Sequence, residues 1–122
     1  MVKVIIVDDE LLARRRIREL LVKNPSVKIV AECQSGTDAI DSILQHNPDL
    51  VYLDIQLIDM TGFDVLEAIP KQHMPMVIFV TAFDEYAIKA FDVFSFDYLL
   101  KPFKAERFYL SLEKAMEQLQ PA

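Results

Sequence analysis

Glycine is almost missing from this chain, with two in 122 residues. That scarcity excludes glycine-rich phosphate loops and long flexible linkers. Cysteine is nearly as rare. Cys33 stands alone, so no internal disulfide can form, and the thiol is expected to serve as a small buried hydrophobe in a reducing cytoplasm. Basic residues are outnumbered, 13 Lys and Arg against 19 Asp and Glu, giving a net charge of −6. Such a chain lacks the basic face that direct contact with nucleic acid or an anionic membrane requires. No apolar run approaches the ~20 residues of a membrane span. The N-terminus shows no signal-peptide pattern, because Lys3 leads into a short strand and then acids.

What is present is a core. Apolar residues make up 52% of the chain, and the length suits a single domain spanning residues 1–122, with 119–122 reading as the start of a linker. Two periodicities alternate. V-K-V-I-I-V (2–7) is too short for a helix and rich in β-branched residues. Leu12, Ala13, Ile17, Leu20 and Leu21 then recur at helical spacing until Asn24-Pro25. V-K-I-V-A-E-C (27–33) alternates as an edge strand would. Ser35-Gly36-Thr37 opens a second helix, with Ala39, Ile40, Ile43 and Leu44 inward and a stop at Asn47-Pro48.

L-V-Y-L-D (50–54) is a third strand, and residues 62–69 are a short helix ended by Pro70. M-V-I-F-V-T (76–81) is a fourth strand. Asp84 is expected to cap a fourth helix, with Phe83 and Ile88 as its hydrophobic staple. D-Y-L-L-K (97–101) is a fifth strand, and a last helix runs from about Lys104 to Leu119 with Phe108, Leu112, Ala115, Met116 and Leu119 on one stripe. Strands separated by helices pair in parallel through right-handed crossovers, with helices on both faces.

Parallel strands share one C-terminal edge, and ligands of open α/β sheets bind outside it. Asp8, Asp9 and Glu10 follow the first strand, Asp54 closes the third, Thr81 the fourth and Lys101 the fifth. The topology alone sends these residues to one crevice. Packed carboxylates repel, which raises the pKa of at least one of them, and a divalent cation removes the conflict. All-oxygen ligands suit Mg²⁺, while zinc is disfavoured because His46, His73 and Cys33 show no ligand spacing. A metal, an ammonium and a hydroxyl together would hold an anion with several oxygens, such as a phosphoryl group, and Asp54 is placed to receive it as an acyl phosphate. Each residue also has a plainer reading. Asp9 or Glu10 could cap the first helix, Thr81 could be a β-former, and Lys101 a solvated charge. Asp54, closing an apolar run, needs a partner in any case.

The motifs V-I-I-V-D-D-E, V-Y-L-D-I, V-I-F-V-T-A and Y-L-L-K-P-F resemble, in order and separation, those of bacterial response regulator receiver domains. The stretch from Thr81 to Phe103 further resembles receivers attached to LytTR-type DNA-binding domains. The resemblance implies an α/β, flavodoxin-like (βα)5 doubly wound sheet with strand order 2-1-3-4-5. It also implies that Asp54 is the phosphoacceptor of a sensor histidine kinase. Asp8 (partly through water), Asp9, Asp54 and the Gln56 carbonyl would hold Mg²⁺. Thr81 and Lys101 would bind phosphoryl oxygens, and the Lys101-Pro102 bond would be cis. Tyr98 occupies a switch position that turns inward on activation, or is an aromatic packed in place. Gln56 and Phe83 sit where the family tunes the lifetime of the acyl phosphate.

The implied output is a homodimer formed on phosphorylation through the fourth helix, the fifth strand and the last helix. Phe91, Phe94 and Phe96 lie in that region, as dimer face or as core. DNA would be reached through a separate output domain. Arg14, Arg15, Arg16 and Arg18 read as a solvated helix face or a kinase contact. The domain would be no enzyme in the usual sense, but a phosphoacceptor that assists its own phosphotransfer and dephosphorylation. An alternative is a stand-alone or phosphorylation-independent receiver acting as an interaction module. A dehalogenase-type phosphatase would need a second Asp two residues past Asp54, where Gln56 stands. A flavin or nucleotide binder would need glycine or hydroxyl residues where the first turn offers acids.

Overall fold

The computed structural model describes residues 1–84 and 95–120. Among the described residues there are five strands: β1 (Val2–Val7), β2 (Val27–Cys33), β3 (Leu50–Leu53), β4 (Met76–Thr81) and β5 (Asp97–Leu100). Between and after them lie α1 (Leu11–Leu21), α2 (Gly36–His46), α3 (Gly62–Glu67), a short 3-10 turn (Lys71–His73) and the last helix, α4 (Ala105–Leu119). The strands form one parallel sheet in the order β2-β1-β3-β4-β5, as expected. The helix expected to start at Asp84, its staple partner Ile88, and Phe91 and Phe94 lie outside the described residues, as do Pro121 and Ala122.

Period-two alternation sorts the central strands into two cores. Ile5, Val7, Val51, Leu53, Val77 and Phe79 face Ala39, Ile43, Phe63 and Val65 of α2 and α3. Val4, Ile6, Leu50, Tyr52, Ile78 and Val80 face Ile17, Leu21, Phe108 and Leu112 of α1 and α4. Both faces are covered, so the central strands are apolar at nearly every position rather than at alternate ones, Lys3 of β1 and Thr81 of β4 excepted. On the α4 side Tyr52 stacks on Phe108 with ring centroids 5.2 Å apart.

The helix ends follow their sequence signals. Ser35 caps α2 by accepting from the Asp38 amide, and Asn47 closes it in the left-handed region at φ 46°. Thr61 and Asp64 form a reciprocal capping box on α3. Two residues expected inward are not. Leu12 is 72% exposed and Leu44 is 40% exposed. The buried stripe of α1 starts at Ile17, in its second turn, and Leu12 instead lines an open apolar cavity with Val80, Pro102 and Phe103. Leu44 falls at the border of the stripe formed by Ala39 and Ile43. Phe96 is half-buried against the α4-side core.

Candidate functional site

The backbone ladder continues past the strand ends and fixes where the polar residues begin. The Asp8 amide donates to the Cys33 carbonyl at 3.0 Å, the Asp54 amide to Val7 at 3.0 Å, and the Lys101 amide to Thr81 at 2.7 Å. Val7 pairs with Leu53, Leu53 with Phe79 and Phe79 with Tyr98. Asp8 and Asp54 therefore sit one rung beyond a shared row of core residues. Thr81 is paired with Leu100 one rung further, and Lys101 follows. The lysine stem then reaches back over the acids.

Its ammonium meets three carboxylates. Lys101 Nζ lies 2.6 Å from Asp8 Oδ2, 3.2 Å from Asp54 Oδ2 and 3.9 Å from Glu10 Oε1. Asp8 is 1% exposed and Asp54 6%, so both charges are held largely out of water. Burial pushes the Asp54 carboxyl up from its usual range; Lys101 opposes that shift, and the neighbouring Asp8 adds to it. For Lys101 burial works against the charged form, but the hydrogen bond to Asp8 and the charges of Asp54 and Asp8 outweigh it, so its pKa is raised. The Lys101-Pro102 bond is cis, as expected.

Asp8, Asp9 and Glu10 bring one carboxylate oxygen each to within 4.8 Å of one another, a group that could hold a metal ion. Glu10, absent from the expected ligand set, belongs to this cluster, whereas Asp54 joins it through Lys101. Helix capping does not account for the acids. Glu10 stands at the N-cap of α1 without a capping bond from its side chain, and Asp8 Oδ1 instead accepts from the Glu10 amide at 2.9 Å. The Gln56 amide donates to Asp54 Oδ1 at 3.2 Å, which fixes the carboxylate plane. Thr81 is fully buried, and its Oγ1 accepts from the Phe83 amide at 3.4 Å. The Tyr98 hydroxyl donates to the Phe83 carbonyl, joining β5 to the chain just after β4. His46 and His73 lie at the opposite edge, where His73 Nδ1 is 3.0 Å from Asn47 Oδ1.

Two residues matter more here than their sequence context suggests. Arg14, read as part of a solvated run, is half-buried. Its Nη1 donates to the Asp8 carbonyl at 2.6 Å, and its Nε lies 3.7 Å from Glu32. The rest of the run is closer to expectation, with Arg18 paired to Glu32 at 2.8 Å and Arg16 over the Phe103 ring at 5.9 Å. Asp59 was given no role by its sequence context. Its carboxylate crosses from the loop after β3 to the start of α2, accepting from the Gly36 amide at 2.7 Å and from the Thr37 amide at 3.0 Å and hydroxyl at 2.8 Å. The only signal would have been an α2 N-terminus with more free amides than Ser35 alone can satisfy.

Residues 4–113 match the family described as response regulator receiver domain. The chain belongs to that family. As a receiver it is a phosphoacceptor domain of a two-component system. It is 44% identical over 119 residues to the transcriptional regulatory protein BtsR of Salmonella typhi, and 43% identical over 121 residues to the sensory transduction protein LytT of Bacillus cereus. Each alignment takes in 98% of this chain but 48% and 49% of the relative, so the chain spans about half the length of the curated relatives it matches. The kinship with LytTR-type regulators expected from the Thr81–Phe103 stretch is thereby found. Among solved structures, the response regulatory domain of mrkE from Klebsiella pneumoniae superposes with a TM-score of 0.89 at 30% identity, covering 98% of this chain and 99% of that one. The REC domain of AraT from Geobacillus stearothermophilus gives 0.89 at 32% identity, covering 98% and 97%. Among the described residues no helix is long and apolar enough to cross a membrane.

Proposed function

We propose that Asp54 is the residue that takes the phosphoryl group, from a phosphohistidine of a sensor kinase, with Mg²⁺ bound at Asp8, Asp9, Asp54 and the Gln56 carbonyl. The observation that carries this reading is the charge balance. One ammonium faces two buried carboxylates and a third, exposed one, leaving net negative charge at the C-terminal edge of the sheet. The donors are all oxygen, the set a hard, hydrated cation prefers. When bound, Mg²⁺ would screen the repulsion between the carboxylate and the incoming phosphoryl group.

The chain's own residues do the rest. The Gln56 amide and Lys101 orient Asp54 and oppose the upward push of burial on its carboxyl. A carboxylate oxygen attacks phosphorus, the P–N bond to the donor imidazole breaks, and its electron pair stays on nitrogen. The product is an acyl phosphate. Lys101 and the Thr81 hydroxyl neutralise charge on its oxygens. This assistance to its own phosphotransfer and hydrolysis sets the domain apart from an enzyme with turnover on a separate substrate.

The signal follows from Thr81. Recruiting its hydroxyl to the new phosphoryl group, which carries nearly two negative charges, draws the chain at Phe83 toward Asp54. The Tyr98 hydroxyl is tied to the Phe83 carbonyl, so β5 feels the displacement. Leu100 and Leu110 leave apolar surface on β5 and α4, which suits the homodimer expected on that side. The likeness to a transcriptional regulatory protein, BtsR, supports an output in transcription, which we read as a LytTR-type DNA-binding domain in the cytoplasm.

Acetyl phosphate with Mg²⁺ tests the site. The intact protein should gain the mass of one phosphoryl group, the Asp54→Asn variant none, and chelation should abolish uptake. Unchanged mass for the native chain, or equal labelling of Asp54→Asn, overturns the assignment.

A further inference from the structure

The chain's two glycines touch the same loop. A Cβ on Gly36 would collide with the Met60 side chain, and one on Gly62 would stand 2.7 Å from the Asp54 carbonyl oxygen. Neither glycine has positive φ. Both are therefore required for close approach rather than for backbone conformation. The loop they grip runs from Gln56 to Thr61, which pair as an isolated antiparallel bridge. Leu57 donates to the Met60 carbonyl at 3.1 Å within it, and Gly62 to the Ile55 carbonyl at 2.7 Å at its base. The tip of the loop is Asp59, whose two carboxylate oxygens take three hydrogen bonds from Gly36 and Thr37 at the start of α2.

We infer that Asp59 is a positioning residue of the phosphoacceptor site. By clamping the loop tip to α2, it sets where the Gln56 peptide stands. Gln56 presents the N–H of one peptide group to Asp54 and would offer the carbonyl of the next to the metal. The inference rests on the metal and acceptor roles proposed above. The three bonds are charge-assisted and join elements 22 and 23 residues apart, so the clamp restrains the loop from outside itself. Hydrogen bonds held below their ordinary range the Asp59 carboxyl despite its open setting, led by that from the Gly36 amide.

The test compares Mg²⁺ titrations by calorimetry with the rate of phosphoryl uptake from acetyl phosphate at limiting and saturating Mg²⁺. Loss of a direct partner of a metal ligand weakens binding by about 10-fold or more; Asp59 acts one step further out, so Asp59→Ala should shift the Mg²⁺ midpoint upward by at most that order. Its uptake rate should return to within about two-fold of native at saturating Mg²⁺, since only metal positioning is lost. Thr37→Val, which removes one bond from the opposite side, should shift the midpoint the same way by less. Asp38→Asn removes a neighbouring exposed charge without touching the loop and should leave the midpoint unchanged. A native midpoint in Asp59→Ala overturns the inference, as does an equal shift in Asp38→Asn, which would make the effect one of charge alone. Should Asp59→Ala fail to fold by circular dichroism, a native midpoint in Thr37→Val is the overturning result. Native protein without Mg²⁺-dependent uptake would remove the underlying site assignment, and the inference with it.

Discussion

At its C-terminal end β5 delivers Lys101 among Asp8, Asp54 and Glu10. At its N-terminal end Asp97 meets Arg107 in a two-pronged pair, at 2.9 and 3.1 Å, with the Tyr98 carbonyl as a further acceptor at 3.3 Å. The second arrangement is complete. One guanidinium answers one carboxylate. Burial raises the Asp97 carboxyl, but Arg107, Ser111 and the Tyr98 amide together outweigh it, so its pKa is lowered. The first arrangement is not complete, and there burial prevails on Asp54, whose pKa is raised. The two ends separate ion pairs that hold a fold from ion pairs that await something. The criterion is the sign of what remains unbalanced, not the number of charges.

The largest expected effect falls on the unbalanced end. Lys101→Met leaves two buried carboxylates without a counter-charge, and in chelator it should lose about 3 kcal/mol of unfolding free energy in urea titrations. Added Mg²⁺ should return much of that loss. A metal-free variant as stable as the native chain would break the contrast. Smaller and opposite in sign is Asp54→Asn, which removes one of the repelling charges and should stabilise the metal-free protein by about 1 kcal/mol. The balanced end should respond least. Asp97→Asn should cost about 0.5 kcal/mol near neutral pH, after allowance for screening at this half-open position. Because the Asp97 pKa is lower in the folded chain, that contribution is fully present above about pH 4 and fades as acid protonates the folded carboxyl. Native and variant chains should therefore converge in stability at low pH. A difference that persisted there would point to packing rather than charge.

The sheet and the rim were legible because both depend on periodicity. Apolar runs interrupted by helical spacing admit few arrangements other than a parallel sheet, and a parallel sheet sends Asp8, Asp54, Thr81 and Lys101 to one edge. What escaped depends on contacts between elements distant in sequence. Leu12 obeys the helical period, yet it lines an open cavity beside Pro102 and Phe103, so spacing alone places it wrongly. Arg14 shares a run with solvated arginines, and only the position of β2, with Glu32 at its edge, draws it back over the Asp8 carbonyl. Asp59 sits in a loop of ordinary composition, and its importance appears only when the start of α2 is seen beside it. Glu10 has the chemistry of a ligand, yet three consecutive acids in a sequence do not reveal which of them can turn to a common point.

The continuation of the ladder beyond the strand ends bears on what kinds of change this architecture can absorb. The peptide groups, not the side chains, measure out the distance from the centre of the sheet to Asp8, Asp54 and Lys101. Exchanging one apolar residue for another inside β1, β3 or β5 leaves that measure intact. Inserting or deleting a single residue within a strand would turn every later side chain to the opposite face and carry its polar terminus out of reach of the others. Drift in composition is cheap for this scaffold, and drift in strand length is not.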